Sequence, residues 1–115
     1  MGLEPWQMAE AYRLDFRSTG VALTASAHEG ELNATSTLHQ LRLDSPSIPV
    51  GTFILDYPTY RWRGLSVDIV RHFFPLPTLK RIVELLASLR MNTLHLHLSD
   101  DQGWRIPIGE YPDLI

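Results

Sequence analysis

The sequence predicts an α/β protein whose second half contains a parallel βαβ unit. Residues 62–70 and 93–99 alternate apolar and polar side chains, as strands do. Between them, residues 79–91 carry apolar side chains at helical spacing, after two prolines that favour a loop and a helix start. Two strands joined by a helical crossover of this length are expected to pair in parallel, with a right-handed connection.

The first half of the chain predicts a smaller α+β segment. Two alternating stretches form an expected hairpin with its turn at 18–20, followed by a weaker helical pattern and a short third strand. These four elements are residues 12–17, 21–27, 30–43 and 52–56. Prolines and serines between 44 and 49 predict a linker, so we divide the chain into 1–49 and 50–115.

Composition excludes several classes of protein. The chain has 115 residues, a formal net charge of −3 and no cysteine. The charge argues against a nucleic-acid partner, and the missing thiols exclude disulfides and thiolate metal sites. No apolar run is long enough to span a membrane. The first residues lack a basic segment followed by an apolar one, so no signal peptide is expected, and the compartment is left open.

Polar side chains follow both strands of the predicted βαβ unit. The carboxyl ends of parallel strands lie together, and ligands of α/β proteins bind there. The expected cluster consists of Asp68, Arg71, His72, His97, Asp100, Asp101 and Gln102. Arginine suits a hydroxyl-rich ligand because it offers a planar set of donors with a permanent charge.

Each of these residues also has a purely structural interpretation. Arg71 would be a surface arginine, and Asp68 a strand-end cap. Asp100 and Asp101 would be turn carboxylates. His95 and His97 share one strand face, so they are either core histidines or half of a metal site. A metal-dependent hydrolase built on this histidine pair would need further ligands, and we keep it as an alternative.

Two long motifs carry a resemblance to a known family. RGLSVDIVRHFFP at 63–75 and LHLHLSDDQGWRI at 94–106 resemble the start of the catalytic domain of family 20 glycoside hydrolases, the β-N-acetylhexosaminidases. GELNATSTLHQL at 30–41 is similar to the helix closing the small α+β domain before that barrel. The resemblance implies the first βαβ unit of a (β/α)8 TIM barrel, preceded by the end of that domain, an incomplete fold.

The resemblance also implies an activity. Family members are retaining exo-enzymes in which the 2-acetamido group of the substrate attacks the anomeric carbon, an exception to the two-carboxylate scheme. The implied substrate is an N-acetylhexosamine-terminated glycan or a chitooligosaccharide, and no cofactor or metal is required. The family's catalytic Asp-Glu pair is not in this sequence. We therefore expect an inactive fragment that needs the remainder of the barrel; members are often secreted, periplasmic or lysosomal.

The resemblance assigns roles residue by residue. Arg71 matches the arginine that binds hydroxyls of the terminal sugar. Asp100 matches an aspartate that supports the catalytic glutamic acid through a downstream histidine, and His97 matches a supporting histidine. The resemblance also gives a supporting role around the pocket to three further residues: His72, Asp68 and Asp101. A non-enzymatic carbohydrate-binding remnant is the third alternative.

Overall fold

The computed structural model describes residues 2–44 and 47–114 and divides the chain into two compact units. The division lies between Arg61 and Trp62, later than the predicted boundary after residue 49. The difference arises because the third strand pairs with the first, which keeps it in the first unit. Part of the predicted linker, residues 45 and 46, lies outside the described residues.

The first unit is a three-stranded antiparallel sheet with two helices. Its elements are α1 (Pro5–Glu10), β1 (Tyr12–Arg17), β2 (Gly20–Ala25), α2 (His28–Asp44) and β3 (Phe53–Asp56). The strand order is β2-β1-β3. Gly20 has a φ of 132°, which favours glycine at the end of the hairpin turn. The predicted hairpin, helix and third strand are thus confirmed, while α1 was not predicted.

The core of the first unit lies between β1 and α2. Tyr12 and Leu14 of β1 and Ala34 of α2 are buried, and the partly buried Leu38 and Ile54 pack against them. The Tyr12 hydroxyl lies 2.5 Å from the Thr37 hydroxyl and donates to the Asp56 carboxylate at 2.9 Å. These bonds tie β1, α2 and β3 together around a polar group that burial would otherwise penalise.

The second unit contains the predicted βαβ motif. It consists of β4 (Gly64–Asp68), α3 (Leu76–Ser88) and β5 (Thr93–His97). The two strands pair in parallel, and the register runs from Gly64 opposite Thr93 to Asp68 opposite His97. The parallel pairing predicted from the two alternating segments is therefore confirmed. It brings the carboxyl end of β4 beside that of β5.

A small hairpin follows β5. Its strands are β6 (Ser99–Asp100) and β7 (Gly103–Trp104), and a 3-10 helix (Pro112–Leu114) lies near the end of the chain. Strands of two residues are too short for an alternating pattern, which is why the sequence did not predict them. Among residues 2–44 and 47–114, no helix combines the length and apolarity needed to cross a bilayer.

Candidate functional site

Asp68 organises the turn that follows β4. Its Oδ1 accepts hydrogen bonds from the backbone N–H groups of Val70 (2.9 Å) and Arg71 (3.1 Å). Its Oδ2 accepts from Nη1 of Arg71 at 2.5 Å. The guanidinium of Arg71, and then the backbone donors, lower the pKa of the Asp68 carboxyl from 3.8 to about 2. Asp68 is therefore a carboxylate that fixes both the backbone and the side chain of Arg71.

Asp100 holds the other side of the guanidinium. Its Oδ2 lies 2.7 Å from Nη2 of Arg71 and 3.0 Å from Nε2 of His97. Its Oδ1 accepts from the backbone N–H of Gln102 at 2.7 Å. The Gln102 N–H, followed by His97 and Arg71, lowers the pKa of the Asp100 carboxyl. The side chain of Asp100 is only 13% exposed, so it is the most buried of the charged side chains in the cluster.

Arg71 thus lies between two carboxylates from different strand ends. The hydrogen bond to Asp68, and then the charge of Asp100, raise the pKa of Arg71, so it stays a cation. Its side chain is 51% exposed. A guanidinium has five N–H donors in one plane, more than its two ion pairs engage. The arrangement therefore presents a fixed, accessible set of donors suited to hydroxyl oxygens.

Three predicted residues do not bond within this cluster. His72 is exposed, and its ring packs edge-on against Phe74 with the ring centres 5.2 Å apart. Asp101 is exposed in the β6–β7 turn and acts on Arg71 through its charge alone. His95 is exposed, and its Nδ1 lies 3.3 Å from the Ser66 hydroxyl.

Within residues 2–44 and 47–114, the group of side chains able to hold a metal ion differs from the predicted histidine pair. One ligand atom from each of Asp68, His97 and Asp100 lies within 4.8 Å of the others, and His95 is not in this group. The Arg71 guanidinium already contacts both carboxylates. A cation at this position would compete with the guanidinium for the same oxygen atoms.

Sequence reasoning missed Arg105 at this site. Its Nε donates to the carbonyl of Ile69 at 3.0 Å and its Nη2 to the carbonyl of Val70 at 2.9 Å. Side chains that bind backbone carbonyls leave no periodic signal. Its place inside the second motif, at 94–106, was the only available indication.

Comparisons with known proteins point to a family for the second half of the chain. Residues 60–115 match the family model described as glycosyl hydrolase family 20, catalytic domain. Residues 60–115 belong to glycosyl hydrolase family 20. The chain is 43% identical over 113 residues to a β-hexosaminidase of Akkermansia muciniphila and 44% identical over 108 residues to a β-N-acetylhexosaminidase of Cellulomonas fimi. These alignments cover 96% and 91% of the chain.

Solved structures of N-acetylhexosaminidases give a similar result. A crystal structure of a β-N-acetylhexosaminidase aligns with 92% of the chain at a TM-score of 0.83 and 45% identity. The Streptomyces plicatus N-acetyl-β-hexosaminidase, solved with Thio-NAglucal, aligns with 97% of the chain at a TM-score of 0.78 and 39% identity. The chain spans only 23% and 24% of these two structures, and 23% and 22% of the two relatives above.

Proposed function

We propose that this chain contributes to a retaining exo-β-N-acetylhexosaminidase, which removes terminal N-acetylglucosamine or N-acetylgalactosamine. In this proposal β4, α3 and β5 are the first βαβ unit of a (β/α)8 barrel, and the preceding residues end a small α+β domain. The observation that carries the proposal is the Arg71 guanidinium, fixed between Asp68 and Asp100 beside the carboxyl ends of two parallel strands. Ligands of such barrels bind at this end.

Arg71 binds hydroxyl groups of the non-reducing terminal sugar. The guanidinium is held at Nη1 and Nη2, so little rotamer freedom is lost when a sugar binds. Charged donors form stronger hydrogen bonds to hydroxyls than neutral donors do. A Streptomyces plicatus relative solved with the product GlcNAc supports the choice of an N-acetylhexosamine as substrate.

Asp100 supports the general acid without touching the substrate. In the proposal it orients a histidine from a later strand, and that histidine contacts the catalytic glutamic acid. Three donors, from Arg71, His97 and Gln102, hold the Asp100 carboxylate in place and keep it charged. His97 contributes by fixing Asp100. A charged, immobile carboxylate is what orients an imidazole in one tautomer.

The bond-breaking groups come from outside these residues. The substrate's acetamide carbonyl attacks the anomeric carbon, while a glutamic acid protonates the leaving oxygen and a preceding aspartate orients the acetamide. No Asp-Glu dipeptide occurs in the 115 residues. General acid catalysis contributes about 10²–10⁴-fold. We therefore expect the purified chain alone to leave an aryl N-acetyl-β-glucosaminide intact.

The test uses a protein of full family length that carries these residues. It should hydrolyse an aryl N-acetyl-β-glucosaminide and leave the matching aryl β-glucoside intact, because the glucoside has no acetamide nucleophile. Equal hydrolysis of both substrates would contradict the mechanism. Loss of activity in a chelator, restored by a divalent metal, would favour the metal-dependent hydrolase. Sugar binding without hydrolysis would favour the carbohydrate-binding remnant.

A further inference from the structure

Arg105 links the segment after β5 to the end of β4. Its backbone N–H donates to the carbonyl of Leu98 at 2.8 Å, which anchors it beside the β6–β7 hairpin. Its guanidinium reaches across to the carbonyls of Ile69 and Val70, and lies 5.4 Å from the ring centre of Phe73. Ile69 and Val70 are both buried, 5% and 3% exposed, so water does not readily replace this donor.

The side chains of Arg105 and Asp68 together hold two consecutive peptide groups. The peptide joining Ile69 to Val70 has its C=O bonded to Arg105 and its N–H bonded to Asp68. The peptide joining Val70 to Arg71 is bonded in the same way at both ends. Two adjacent peptide planes fixed on both sides leave the backbone at Arg71 little rotational freedom.

We propose that Arg105 is a positioning residue for Arg71, acting through the two peptide groups that precede the Arg71 side chain. The inference rests on the proposed function, because the Arg71 guanidinium must lie where a sugar hydroxyl binds. Asp68 and Asp100 orient the guanidinium, and Arg105 sets the backbone from which it extends. A lysine at 105 cannot present a planar fork to two carbonyls at once.

The experiment is a double-mutant cycle in a protein of full family length carrying these residues. Losing one neutral-acceptor hydrogen bond should lower kcat/KM for an aryl N-acetyl-β-glucosaminide about three- to tenfold in Arg105→Lys, mainly by raising KM. In an Arg71→Ala background, Arg105→Lys should lower kcat/KM by less than about twofold, because Arg105 affects catalysis through Arg71. Arg105→Gln is the second variant if the lysine variant does not fold.

Arg63→Lys is the matched control. Arg63 precedes β4, and its Nε donates to the carbonyl of Arg90 at 2.9 Å, away from the turn at Arg71. Arg63→Lys should change kcat/KM by the same factor in the wild type and in the Arg71→Ala background. If Arg105→Lys is as costly in the Arg71→Ala background as in the wild type, the inference is overturned.

Hydrogen–deuterium exchange gives a readout that does not depend on activity. Arg105→Lys should speed exchange in the peptide containing the Val70 and Arg71 amides, and Arg63→Lys should not. If the full-length protein has no hydrolytic activity, the proposed function fails and exchange alone decides. Faster exchange then supports the positioning role, and unchanged exchange overturns it.

Discussion

Nη2 of Arg71 lies 2.7 Å from Oδ2 of Asp100, although the two residues follow different strands. Arg71 lies three residues after Asp68, and Asp100 lies three residues after His97. Asp68 and His97 are themselves opposite each other in the parallel pairing of β4 and β5. The parallel register therefore brings their loops to the same place. A register shifted by one residue would move every side chain of the strand to the other face and remove the ion pair.

Replacing Arg71 should weaken catalysis in a protein of full family length. In the proposed function the Arg71 guanidinium donates two charge-assisted hydrogen bonds to the sugar, so Arg71→Ala should lower kcat/KM by at least about tenfold to a hundredfold. Arg71→Lys should recover only part, because an ammonium cannot present a planar fork. The measurement is steady-state kinetics on an aryl N-acetyl-β-glucosaminide, with folding checked by circular dichroism. Normal kinetics in Arg71→Ala would restore the interpretation of a surface arginine.

Ionisation of Asp68 should make the free energy of unfolding depend on pH, but only at acidic pH. Its pKa is lowered from 3.8 to about 2 in the folded protein, chiefly by Arg71. The folded state therefore binds this proton less readily than the unfolded state does. The carboxylate contributes stability above its unfolded pKa, and the contribution is lost as pH falls through the folded value.

Urea unfolding of wild type and Asp68→Asn, both as proteins of full family length that carry these residues, measures this effect. The difference between their midpoints should be constant above about pH 5 and should shrink below about pH 4. Asp113→Asn, in the 3-10 helix near the end of the chain, is the control. A difference that stays constant down to about pH 3 would show that the Asp68 carboxyl is not held by Arg71.

The 115-residue chain alone should not be a well-folded monomer. Within the described residues, β4 and β5 form a two-stranded sheet, and two strands alone are marginally stable. Several large apolar side chains of the second unit are exposed: Leu65, Leu76, Val83, Leu85 and Leu89. Light scattering should find oligomers or aggregates, or a dye for apolar surface should detect a molten state. A monomer with a sharp cooperative unfolding transition would contradict this.

Gly30 should tolerate no side chain. It is buried in the first turns of α2, and an added Cβ would overlap the carbonyl oxygen of Ala11 and lie 3.1 Å from the Cβ of Ala25. Gly30→Ala should therefore destabilise a full-length protein by about 1–3 kcal/mol despite the better helix propensity of alanine. Gly109→Ala, where nothing lies within 4 Å, is the control. Thermal unfolding compares them, and equal melting temperatures would contradict the close packing.

The sequence by itself determined the regular elements of the second unit and the pool of candidate side chains. Alternation over β4 and β5 and the helical stripe between them follow from the residue period of each element, a local property that repeats along the chain. The polar residues after both strands identified Asp68, Arg71, His97 and Asp100 as neighbours, because parallel strands end together.

Only the tertiary structure decided which of those side chains touch. It left His72 and Asp101 without a bond in the cluster, joined β3 to β1 across the predicted domain boundary, and brought Arg105 to the carbonyls of Ile69 and Val70. These contacts join residues far apart in the sequence, and each depends on strand register and on the path of a loop. Periodicity records which face of an element is buried, but it carries no information about which distant partner that face meets.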